Sequence, residues 1–96
     1  MSVSSDARYR LHSAASLHWA GWNDEYVIFD EASGQTHQLD AVRAYVLHLL
    51  GEDSQSFSRL AEALSQVPVF AAKPAINGIL SAVLVEFETS GLVEVI

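Results

Sequence analysis

The 96-residue chain contains no cysteine. Disulfides, thiolate zinc sites and cysteine nucleophiles are therefore excluded together, and the composition suits a reducing cytosol. Basic side chains are scarce as well: 5 lysines and arginines stand against 12 aspartates and glutamates, for a formal net charge of −7. Phosphate backbones and anionic membranes are held largely by lysine and arginine, so nucleic acid and membrane surfaces are disfavoured as partners. The apolar runs fall far short of the roughly 18 residues a spanning helix needs, and no basic stretch leading into an apolar one opens the sequence. The expected location is the cytoplasm. Low-complexity tracts, internal repeats and blocks of like charge are also missing.

What is present is a high apolar content, 50% of residues, in a length that suits one domain over residues 1–96. Met1 to Ala7 reads as a loose arm. Tyr9 to His12 and Leu17 to Trp22 carry mixed aromatic and apolar side chains around Ser13-Ala14-Ala15-Ser16 and read as a strand or two. Tyr26 to Phe29 is rich in β-branched and aromatic residues, and Gln35 to Leu39 returns after the turn-forming Asp30-Glu31-Ala32-Ser33-Gly34. This predicts a hairpin with a loop of about four residues, in which Gly34 supplies a positive φ.

Asp40 suits an N-cap for a helix whose apolar positions Val42, Val46, Leu49 and Leu50 share one face, with Gly51 ending it. A second helix is expected from near Ser56, with Phe57, Leu60, Ala61 and Leu64 at amphipathic spacing, closed by Val67-Pro68. The third has Pro74 in its first turn, a broad stripe of Ile76, Ile79, Leu80, Val83, Leu84 and Phe87, and Gly91 as its stop. Leu92 to Ile96 reads as a short β tail. The expected fold is α+β and winged-helix-like: N-terminal antiparallel strands with a hairpin, three helices, and the tail.

Ser33, His37 and Asp40 offer the residue types of a catalytic triad, but strand side chains alternate faces, Ser33 sits in the turn and Asp40 has a simpler role as a cap. Catalytic residues are therefore not expected, and hydrolysis through His37 lacks an oxyanion hole or a paired base. His12, His18, His37 and His48 form no HxH or HxxxH pair, so neither a metal nor another cofactor is expected. Of Trp19 and Trp22, at least one is expected in the core. The third helix, Ala75 to Ser90, holds no lysine or arginine, which argues against a DNA-reading helix. Its stripe is broad enough that part is expected to face something beyond the domain's own helices.

Trp19, the strand Tyr26 to Asp30, the segment SGQTHQLD from Ser33 to Asp40, VLHLLG ending at Gly51, and FETSGLVEVI from Phe87 to Ile96 together resemble the PqqD family. More narrowly they resemble the PqqD-like branch associated with HPr-kinase-related proteins of type A, over almost the whole chain after about Leu17. The resemblance implies a RiPP recognition element, a winged-helix-like, non-catalytic peptide chaperone. Such a domain binds the leader segment of a ribosomally made precursor peptide and presents it to a modifying enzyme. The peptide adds as a strand beside the third strand and packs on the third helix. Mapped here, Thr36, His37, Gln38 and Leu39 are the receiving edge, and Ile76, Leu80, Leu84 and Phe87 the apolar wall.

Edge strands do offer unpaired amides and carbonyls, and an acidic surface favours a basic peptide or partner enzyme. The rival reading is a scaffold or regulatory subunit that holds an HPr-kinase-related protein with no free peptide. An unpaired edge is equally able to pair with its own copy in a homodimer.

Overall fold

A computed structural model describes residues 7–12, 17–22 and 25–96. Strands β1 (Arg8–Leu11), β2 (Leu17–Trp22), β3 (Glu25–Asp30) and β4 (Gln35–Leu39) lead into helices α1 (Ala41–Glu52), α2 (Phe57–Ser65), α3 (Pro68–Ala71) and α4 (Ile76–Thr89). The two-residue strand β5 (Gln55–Ser56) separates α1 from α2, and β6 (Val93–Val95) closes the order. This is an α+β fold, loosely winged-helix-like, with strands at both ends and helices between.

The strands form two antiparallel sheets of three. In one, β1 lies between β5 and β6; in the other, β3 lies between β2 and β4. The β3–β4 hairpin turns on the expected loop, with Gly34 at φ 75°. Asp30 organises that loop by accepting hydrogen bonds from the Ala32 amide at 3.1 Å and the Ser33 hydroxyl at 3.0 Å.

Helix starts follow local chemistry. The Asp40 carboxylate accepts from the Arg43 amide at 2.9 Å, and the Ser56 hydroxyl accepts from the Arg59 amide at 3.1 Å, each satisfying a donor that has no intrahelical partner. At the end of α4, the Leu92 amide donates to the Phe87 carbonyl and the Gly91 amide to the Glu88 carbonyl, with Gly91 at φ 82°. That pair of bonds is a Schellman closure, for which a left-handed residue is required.

Three helix boundaries depart from expectation. Gly51 lies inside α1, which runs on to Glu52 with Asp53 as its cap, because one glycine weakens a helix without ending it when packing continues. Pro68 opens the short α3 rather than merely closing α2, since a proline at the first helical position gives up an amide that would have no partner there. Pro74 precedes α4, whose N-cap is Ala75 in the left-handed region at φ 58°.

The core is one hydrophobic cluster built from every layer: Ile28 and Leu39 from the hairpin, Val46 and Leu47 from α1, Leu60 and Leu64 from α2, and Leu80, Val83, Leu84 and Phe87 from α4. Phe70 of α3 and Leu92 and Val93 of the tail complete it.

Candidate functional site

Paired residues on neighbouring strands share a face, and the hairpin sheet divides accordingly. Trp19, Ile28 and His37 form one inward row, and Gly21, Tyr26 and Leu39 form the next. Tyr26 covers Gly21, where an added Cβ would lie 3.6 Å from the Tyr26 Cδ1. The outward face carries His18, Val27, Phe29, Thr36 and Gln38. His18 and Phe29 stack loosely there, with ring centres 6.4 Å apart.

β4 is the terminal strand of this sheet, so one side of its backbone carries no ladder partner among the described residues. Of the four edge positions, Thr36 and Gln38 are exposed, His37 is half-buried and Leu39 is buried. The His37 Nε2 is buried and has no hydrogen-bond partner among the described residues. Such an atom costs free energy until something pairs with it. Ser33, His37 and Asp40 do not form a relay: Ser33 donates to Asp30, and Asp40 caps α1 and pairs with Arg43. Among the described residues, no three histidines, aspartates or glutamates converge where they would hold a metal ion.

The helical half of the expected groove is placed differently. Leu80, Leu84 and Phe87 are 0%, 1% and 2% exposed and belong to the core, and Ile76 is half-buried, so these four form no open apolar wall. The cause is the number of partners: in so small a domain α4 packs on α2 and β6, and its broad stripe is consumed by them. The outer side of α4 shows Gly78, Ser81, Ala82, Val85 and Glu86 instead.

Between the end of β4 and α4 lies a cavity of about 540 Å³, lined by Gln38, Leu39, Asp40, Arg43, Glu86 and Glu25. Arg43 spans it, bonding both Glu86 oxygens at 2.8 and 2.9 Å and Asp40 at 2.7 Å. The Glu86 carboxyl is held below its ordinary pKa, chiefly by the hydrogen bond from Arg43 and against the opposing effect of burial. Gln38 donates to Glu25 across the hairpin.

A second region was not legible as a site. Of the two tryptophans, at least one of which was expected in the core, Trp19 is 44% exposed and the side chain of Trp22 lies outside the described residues; Tyr26 is 40% exposed. Together with Tyr45, His48, Val67 and Phe70, Trp19 and Tyr26 line an apolar cavity of about 440 Å³ on the outer flank of α1. Tyr45 and Phe70 pack as a tilted pair with ring centres 5.7 Å apart, fixing α3 against α1. The signal was present: Ala41, Tyr45, His48 and Glu52 repeat at helical spacing on the side opposite the buried Val46, Leu47 and Leu50.

No family model, curated protein or solved structure matches the chain. Among the described residues, no helix is long and apolar enough to cross a membrane.

Proposed function

We propose that the chain is a non-catalytic, cytoplasmic peptide-binding module of the PqqD-like kind. It captures the leader segment of a ribosomally made precursor peptide by β-augmentation at β4 and presents it to a partner modifying enzyme. The observation that carries this reading is the terminal position of β4 in its sheet, with Thr36 and Gln38 outward and the unpartnered His37 nitrogen close to the same edge. An added strand would take the free main-chain groups of β4, and side chains at alternate positions would supply selectivity. The cavity at the strand's end, where Glu25, Asp40 and Glu86 outnumber Arg43, favours a basic residue on the peptide at that point. Contact with the third long helix would fall on the exposed side of α4 around Ala82 and Val85, not on the buried leucines.

Hydrogen exchange of the labelled protein tests this, using peptides encoded beside its gene. Alternate amides within Thr36 to Leu39, open to solvent in the free protein, gain protection when a strand is added. Protection that appears only with a neighbouring HPr-kinase-related protein, and with no peptide, would replace leader capture by the scaffold role.

A further inference from the structure

Three cavities share walls. Trp19 and His48 line both the 440 Å³ cavity and one of about 420 Å³ that continues past Leu17, Leu47 and Gly51 to Glu52. Ala41 joins the same cavity to the one bounded by Glu25, Asp40 and Glu86. The result is one trough along the outer flank of α1. Its floor is apolar and aromatic, and its two ends are acidic. The 12 residues of α1 set its length, about 18 Å at 1.5 Å per residue.

The charges at the ends are not balanced internally. At one end Arg43 faces three carboxylates, those of Glu25, Asp40 and Glu86. At the other, Glu52 has His48 at 4.0 Å, and both side chains are largely exposed. Half-exposed Trp19 and Tyr26 on a solvent-facing flank are the kind of anchors that dock into partners. A second copy of the chain is a poor occupant, because two troughs brought together would oppose their acidic ends within a net charge of −7 each.

We propose that this trough docks a segment of a partner protein whose centre is apolar and whose two ends are basic, the cations about 18 Å apart. In an extended chain that spacing is about six residues. The trough shares its Glu25, Asp40 and Glu86 end with the cavity beside β4. Its apolar floor of Trp19, Tyr45, His48 and Phe70 lies apart from the β4 backbone edge, and the inference stands whether or not β4 takes a peptide.

Two synthetic peptides test it: Lys-Ala-Phe-Leu-Phe-Ala-Lys and the same sequence with glutamate at both ends. The expected result is that the lysine peptide shifts the amides of Trp19, Tyr45, His48 and Val67 and weakens with added salt, while the glutamate peptide binds at least about tenfold more weakly. Glu52→Gln and Glu25→Gln should each weaken the lysine peptide by about threefold. Equal binding of the two peptides, binding of neither, or shifts confined to Thr36 to Leu39 would overturn the proposal. So would a homodimer in sedimentation that Trp19→Ser abolishes, since the trough would then be occupied by a second copy.

Discussion

Arg43 and Glu86, 43 residues apart, meet through two parallel hydrogen bonds of 2.8 and 2.9 Å that fasten the first turn of α1 to the C-terminal half of α4. The fork geometry is specific to a guanidinium facing a carboxylate. The pair bridges the hairpin's outgoing helix to the last helix and lines the cavity beside β4.

Glu86→Gln should lower stability by less than about 1 kcal/mol at neutral pH, because the Glu86 side chain is 55% exposed and solvent screens the pair. The direction of its pH dependence follows from the lowered folded-state pKa. Stability from Glu86 is present above the ordinary value of 4.5 and is lost as pH falls through the folded value. Denaturation midpoints of the native chain and the variant should therefore converge in acid. Arg43→Lys should retain part of the effect and Arg43→Ala none; a lysine variant indistinguishable from native would show that the fork geometry contributes nothing.

Ala75 and Gly91 make an opposed pair. Both sit in the left-handed region, at φ 58° and 82°, but only Gly91 does so without steric cost. Ala75→Gly should raise stability by about 1 kcal/mol, and Gly91→Ala should lower it by about 1 to 2 kcal/mol. A Cβ at Gly91 meets nothing within 4 Å, so the whole cost is backbone strain. Urea titrations of the two variants measure both.

Leu84 and His37 separate packing from recognition. Leu84→Ala should destabilise by about 2 to 5 kcal/mol, the range for emptying a buried leucine site, because the side chain is 1% exposed. His37→Leu removes a buried nitrogen that has no partner and should leave stability unchanged or raise it by up to about 1 kcal/mol. If the nitrogen is there to meet an added strand, the same variant should bind peptide more weakly in a calorimetric titration while melting no earlier.

The elements were legible where one residue type has one job. Asp40 and Ser56 announced helix starts, Gly34 a tight turn and Gly91 a helix stop, and all four hold those places. The edge position of β4 was expected only from the resemblance to the PqqD family, since a hairpin alone leaves open whether its second strand gains another neighbour. The burial of α4 did not follow, because the pattern Ile76, Ile79, Leu80, Val83, Leu84, Phe87 states how wide an apolar face is and not how many neighbours share it. The exposure of Trp19 has a related cause: strand alternation puts it on the inward row, yet β2 ends the sheet, and the inward face of an outermost strand is only partly roofed. Helix α3 escaped notice because its four residues are too few for any period to show.

The sheet that holds β1 between β5 and β6 joins the two extremes of the chain, with Arg10 donating to Glu94 across a separation of 84 residues. Contacts so distant in sequence are formed late and slowly, since the chain between them must be ordered first. During synthesis β1 emerges early and has β5 to pair with on one side, while its other side waits until β6 has left the ribosome. Completion of that sheet is thus timed by β6.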